Sequence, residues 1–229
     1  MVNLRTRLEV ELMAKSGRLL NSVINEMKAS CVAGVTTGDL DRLADRLIRK
    51  GGARPGFLGY QDFPKSTCIS VNDEVVHGIP GKRLIKGGDI VSLDLGLVLN
   101  GFWADMGCTV AVGRVSLEAE RLIRVTEESF WVGIEKALPG GQLHDISAAI
   151  QGHVEAAGYS VVRQFVGHGI GLNMHDDPQV SNFGVSGHGP ELMAGMNQAM
   201  EPMVHESNQG VESRPIRWCV MSAQWKMRR

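Results

Sequence analysis

Two aspartates, Asp94 and Asp105, flank an Asn100-Gly101 dipeptide inside a stretch that is otherwise mostly apolar. Asn-Gly favours a two-residue type I′ turn, because both central positions of that turn need positive φ. The run from Val91 to Leu99 and the return from Phe102 to Cys108 therefore predict a β-hairpin in which Leu99 faces Phe102 and Asp105 faces Gly96. In that register both aspartates leave one face of the hairpin, one same-face step apart. Leu93, Leu95, Leu97, Leu99, Phe102, Ala104 and Met106 make the other face apolar. Neighbouring carboxylates beside a core either share a proton, with one pKa raised, or are neutralised by a cation. The competing reading is a solvated face whose aspartates only aid solubility, and the hydrophobic flanks weigh against it. Gly96 and Gly107 are expected to leave room for a ligand.

A second group of candidates follows later in the chain. Ser160 to Val166 reads as a strand leading into Gly167-His168-Gly169-Ile170-Gly171, and glycines on both sides of a histidine mark a place where backbone or ligand comes close. His168 is poised there as a ligand. His175 follows after seven residues, far enough to return from a turn. Glu201, in Met200-Glu201-Pro202-Met203, is a carboxylate among apolar residues that burial would penalise without a positive partner. His77, in Val75-Val76-His77-Gly78-Ile79-Pro80, stands at a strand end, where a lone histidine is more often structural. The glycine-rich segments lack the lysine of a phosphate loop, and no Gly-x-Ser-x-Gly elbow occurs.

The elements that must position these groups are amphipathic helices and short strands. Leu8, Leu12, Leu19, Leu20, Val23, Ile24 and Met27 predict a first helix over residues 4–28, and Leu40, Leu43, Ala44, Leu47 and Ile48 a second over 39–50, stopped by Gly51-Gly52. A long helix is expected from Ser116 to Leu138, and a further one after Asp145 with Ile146, Ala149, Ile150, Val154 and Ala157, stopped at Gly158. Asp39 and Asp145, Leu40 and Ile146, and Gly52 and Gly158 stand at a constant separation of 106 residues. That spacing suggests an internal duplication, two α+β halves rather than a solenoid. Thr67 to Val71 reads as a short strand. The loop from Pro55 to Pro64 concentrates Phe57, Tyr60 and Phe63 in a chain only 5% aromatic. These rings could line an apolar pocket, although capping a core edge is the commoner role.

With 229 residues, 43% of them hydrophobic, the chain can bury one sizeable core, in one large domain or two halves. A net charge of −1 with mixed signs gives no nucleic-acid footprint and no polybasic membrane segment. No apolar leader or membrane-spanning stretch is present, so a cytoplasmic protein is expected. Cys31, Cys68, Cys108 and Cys219 lack Cys-x-x-Cys spacing, and reduced thiols are the default.

Taken together, Val75-Val76-His77-Gly78-Ile79-Pro80, the two aspartates around Asn-Gly, Gly-His168-Gly-Ile-Gly with His175, and Glu201-Pro-Met resemble type I methionine aminopeptidase over nearly the whole chain. The resemblance implies a pita-bread fold, an α+β architecture of two pseudo-symmetric halves with a curved antiparallel sheet flanked by helices, and a single domain over residues 1–229. It implies a metal-dependent aminopeptidase that removes the initiator methionine from nascent polypeptide N-termini, with the ribosome as the place of encounter, as a monomer without nucleic-acid or membrane partners. Asp94, Asp105, His168 and Glu201 are similar to the family's ligands for two divalent metals, with Co, Mn, Fe and Zn all open. His77, His175 and Glu201 resemble catalytic residues. Phe57, Tyr60, Phe63, Cys68, Met174 and Trp218, with the two histidines, resemble the substrate-binding set.

The chain departs from the family pattern at Leu172, where many members have arginine, and at Met106, where threonine is usual. Lys226 follows Ser222-Ala223-Gln224-Trp225, where the family motif has a metal-bridging glutamate, unless Trp218 is the pocket tryptophan and Ser-Ala-Gln is accidental. The C-terminal part from about residue 208 is thus expected to be atypical or truncated, with the second metal weakly held. Two other readings stand beside the first: a catalytically impaired pita-bread protein that binds peptide termini or a partner, and a relative of the same fold that cleaves at proline.

Overall fold

The computed structural model describes residues 2–206 and the backbone of 211–213 and 220–222. In chain order the elements are α1 (Arg7–Ser30), α2 (Thr37–Lys50), β1 (Arg54–Pro55), β2 (Thr67–Val71), β3 (Glu74–Val76), β4 (Ile90–Leu99), β5 (Phe102–Ala111), α3 (Leu117–Ile134), α4 (Leu143–Ala156), β6 (Ser160–Val161), β7 (Gly167–Gly169), β8 (Asp176–Val180), β9 (Gln198–Ala199), β10 (Val204–His205), β11 (Val211–Ser213) and β12 (Val220–Ser222). They fall into two compact units, Glu11–Glu120 with Val211–Arg229, and Met1–Val10 with Arg121–Gly210.

The first unit is organised by β4 and β5, paired antiparallel from Ile90 opposite Ala111 to Leu99 opposite Phe102. Asn100 and Gly101 turn the chain with φ of 53° and 84°, the conformation that a type I′ turn requires. β2 and β1 flank β4 on its other side. The apolar hairpin face packs with Leu20, Val23, Ile24 and Met27 of α1 and with Leu40, Ala44 and Ile48 of α2 in one core. Ser16 fixes α1 at the hairpin's end, its hydroxyl within 3.3 Å of the carbonyls of Leu99 and Phe102. Asp41, buried on α2, accepts hydrogen bonds from the amides of Ser66 and Thr67 and the Thr67 hydroxyl, and so anchors the start of β2.

The second unit has its own core of Leu143, Ile146, Ile150, Val154, Val161, Val180 and Leu192. Gly133 lets α3 approach α4 closely, since a Cβ there would stand 2.9 Å from Ile150. The expected helix to Leu138 ends at Ile134 instead, where the chain tightens into the turns before Pro139-Gly140. Of the strand expected over 160–166 only Ser160–Val161 forms, as β6, and β7 begins beyond it at Gly167. After Val162, whose amide still donates to Met203, the chain leaves its partner, and the Arg163 guanidinium stacks on Phe183 at 4.6 Å.

Both units are built to one plan. Before α2 the amide of Thr36 donates to the Asp39 carboxylate and before α4 the amide of Gln142 donates to that of Asp145, so the 106-residue spacing extends to the helix caps. The amides of Thr37 and Gly38 donate to the carbonyls of Arg83 and Gly81, and those of Leu143 and His144 to the carbonyls of Pro190 and His188. The donors are offset by 106 residues and the acceptors by 107. β1 against β4 (Arg54 opposite Val98) and β6 against β10 (Ser160 opposite His205) repeat the same pair of offsets. Counted along β4, the 107-residue step carries Asp94 onto Glu201. No helix among the described residues is long and apolar enough to cross a membrane.

Candidate active site

In the first unit, the observed register places Asp94 opposite Gly107 and Asp105 opposite Gly96, so both half-buried carboxylates leave the face opposite the apolar one. Cys68 of β2 lies opposite Asp94 and is buried. Burial, and then the charges of Asp94, Asp105 and Asp41, push its thiol pKa well above the usual range. A neutral thiol offers a small apolar wall rather than a soft anionic ligand. The room expected at both glycines exists at one of them. Beside Gly107 a Cβ would meet nothing nearer than 3.5 Å, whereas Phe57 fills the space over Gly96, its ring 2.7 Å from where a Cβ would be.

The aromatic loop is seated on this same face. Phe57 and Phe63 are buried, and half-buried Tyr60 meets Trp103 edge-on at 5.7 Å. Trp103 also receives the Arg54 guanidinium at 5.2 Å. The reading from sequence passed over Trp103, although hairpin alternation puts it on the face of Asp105, two residues on. His77 adopts φ 61°, an uncommon left-handed conformation for a non-glycine residue. It is held there by Gly78, whose carbonyl accepts from the Ile69 amide and whose amide donates to the Ser70 hydroxyl. No side chain fits at Gly78, because a Cβ would run into the carbonyl of Ile69. The strand carrying Cys68 thus fixes His77.

In the second unit, buried His168 sits on β7 between glycines that sterics require. A Cβ on Gly167 would overlap the carbonyl of Ala199, and one on Gly169 the carbonyl of Asp177. His168 Nδ1 lies 2.8 Å from the Gly169 carbonyl, and because a carbonyl only accepts, Nδ1 carries the proton. Its Nε2 is 3.1 Å from Oε1 of Glu201, an oxygen that is buried and has no hydrogen-bond partner among the described residues. A proton or a cation must lie between these two atoms. The Glu201 carbonyl is tied to buried Asn182, whose amide nitrogen donates at 2.8 Å.

His175 is exposed, with its ring 4.3 Å from that of His168. Both line a cleft of about 470 Å³ with Asn3, Val166, Asp176 and Gln179. Met174, one residue before His175, is half-buried. The donor types in each unit, a carboxylate with an imidazole here and two carboxylates in the first unit, are those that suit a hard or borderline divalent ion. Trp218 and the segment from Ala223 through Lys226 to Arg229 lie outside the described residues, as do the side chains of Glu212 and Ser222.

Residues 11–221 match the model of Metallopeptidase family M24. The chain is 51% identical over 227 residues to a methionine aminopeptidase of Clostridium perfringens, covering 99% of this chain and 91% of that one. A methionine aminopeptidase structure from Rickettsia prowazekii superposes with a TM-score of 0.95 at 37% identity, over 97% of this chain and 90% of the other. A prolidase from Pyrococcus furiosus, at 22% identity and a TM-score of 0.74 over 87% of this chain and 57% of its own, shares the fold.

Proposed function

The chain belongs to Metallopeptidase family M24 and has its pita-bread fold, and from that premise we propose that it is a methionine aminopeptidase that removes the initiator methionine from nascent polypeptides. The observation that carries the reading is the His168–Glu201 pair, two ligand atoms 3.1 Å apart whose approach makes chemical sense around a cation. We assign Asp94, Asp105, His168 and Glu201 as ligands of two divalent ions, drawn from Co, Mn, Fe or Zn. Such ions, when bound, polarise the scissile carbonyl and make water acidic enough to attack at neutral pH.

The remaining work falls to the chain itself. Phe57, Tyr60, Phe63, Cys68, Met174 and Trp218 enclose the first side chain. An aromatic slot with a neutral thiol suits a flexible thioether better than a branched or charged group. His77 and His175 donate hydrogen bonds to the scissile oxygen and the leaving amine. Glu201 would hold a cation together with His168, and Asn182 holds the Glu201 backbone. Residues 1–229 work as one catalytic domain, a cytoplasmic monomer meeting its substrates at the ribosome without nucleic-acid or membrane contacts.

The test is methionine release from Met-Ala-Ser by chelator-treated protein before and after adding each metal. Metal-dependent release supports the reading. Tight peptide binding without turnover under any metal would favour a non-catalytic binder, and cleavage of Ala-Pro alone a prolidase-type activity.

A further inference from the structure

The segment before α1 makes a contact that the assignments above leave unused. The Arg5 side chain is enclosed, and its Nη2 lies 2.7 Å from Oδ2 of the similarly enclosed Asp176 side chain, with side-chain exposures of 8% and 9%. The other carboxylate oxygen of Asp176 accepts from the Asn173 side chain at 2.9 Å. The Arg5 backbone is clamped as well, its amide donating to the carbonyl of Gly195 at 2.8 Å. Its guanidinium lies against the bare face of Gly171, where an added Cβ would overlap Nη2, Cζ and Nε. Asp176 is the residue after His175, at the start of β8, and Gly171 stands in the turn that begins after β7. The turn between them offers little apolar packing of its own, since Leu172, Asn173 and His175 are exposed.

We propose that Arg5 is a positioning residue for His175, its buried ion pair with Asp176 fixing the turn that presents the imidazole to the cleft. Removing the guanidinium leaves a buried carboxylate without its cation, and the turn is the element free to yield. Gly171 is part of the same device, because any side chain there displaces the guanidinium. Asn3, two residues before Arg5, lines the cleft with His175, so this segment also forms part of the cleft wall. The inference rests on His175 handling the substrate, as proposed above.

The test uses the full chain carrying Arg5→Met, Gly171→Ala or Arg5→Lys. The first readout is the set of imidazole signals of ¹³C-labelled histidine in metal-free protein, with the His175 signal assigned from His175→Asn. In Arg5→Met and Gly171→Ala the His175 signal is expected to broaden or shift while those of His153 and His205 stay in place, and Arg5→Lys, which keeps the charge, is expected to stay close to the parent. The second readout is steady-state cleavage of Met-Ala-Ser by metal-loaded protein. There kcat is expected to fall about tenfold or more, the scale for losing an outer support of an active-site group, with KM within about twofold. A His175 signal unchanged in both variants overturns the proposal, whatever the kinetics. If Arg5→Met does not fold, Gly171→Ala decides, since it keeps every charged group. Absence of methionine release by the parent would count against the assigned activity, and the metal-free spectra would still decide the role of Arg5.

Discussion

His168 Nε2 and Glu201 Oε1 face one another at 3.1 Å, while the other ring nitrogen of His168 is engaged with the Gly169 carbonyl. Glu201→Gln keeps the shape and removes the charge that the proposed ligand role requires. Metal affinity is expected to drop about 10- to 100-fold with the far-ultraviolet circular dichroism unchanged. Asp105→Asn is expected to lower metal affinity on the same scale. Elemental analysis after dialysis checks both, and undiminished metal content would remove these residues from the ligand set.

Gly96 is covered by Phe57, and a methyl group there would push the ring away from the face that carries Asp105. Gly96→Ala is therefore expected to lower the preference for Met-Ala over Leu-Ala peptides several-fold while leaving metal binding in place. Competition between the two peptides in one reaction measures it. Equal discrimination by parent and variant would mean that Phe57 does not shape the pocket.

The hairpin was legible because three signals agreed: Asn-Gly at the turn, an apolar residue at every second position, and two carboxylates in phase with each other. Asp94, Asp105 and the apolar face stand in the register that those signals imply. The first leg of the duplication was legible for a similar reason, since helix caps and glycine stops are local. Its second leg was not, because the segments facing the two helix starts, around Gly81 and His188, form no strand and are recognised only by which carbonyls accept from Thr37 and Gly38 or from Leu143 and His144. The equivalence of Asp94 and Glu201 depends on that leg. The strand expected over 160–166 was over-read, since a β-rich composition does not reveal where a partner strand ends. Arg5 and Asp41 gave no local signal at all. Their partners, Asp176 and Thr67, lie 171 and 26 residues away.

Asp41 shows what such a distant partner contributes. Three donors converge on one buried carboxylate oxygen at the start of the strand bearing Cys68. Asp41→Ala leaves those donors without partners, and the expected loss is about 2–4 kcal/mol in urea unfolding. A loss under about 1 kcal/mol would mean that water replaces the carboxylate at no cost.

Asp145 ties the start of α4 to the loop at Ser186 and Gly187, and hydrogen bonds from the Ser186 hydroxyl and the amides of Gln142 and Gly187 bring its pKa down to about 2. Because the folded pKa lies below the ordinary value of about 3.9, the carboxylate stabilises the fold fully above about pH 4. That contribution fades as pH falls through about 2. The stability gap between parent and Asp145→Asn should thus be constant from pH 7 to 5 and smaller at pH 3. Urea midpoints at those values measure it, and a gap that widens toward pH 3 would contradict the assignment.

Free methionine from Met-Ala-Ser and free alanine from Ala-Pro can be followed with the same chelator-treated protein, as Mn, Co, Fe(II) or Zn is titrated in. Expected are no release without metal, methionine release that rises with at least one of these ions and disappears in Asp105→Asn and Glu201→Gln, and no cleavage of Ala-Pro. Methionine release that persists without metal, or that survives in both variants, would contradict the proposed activity.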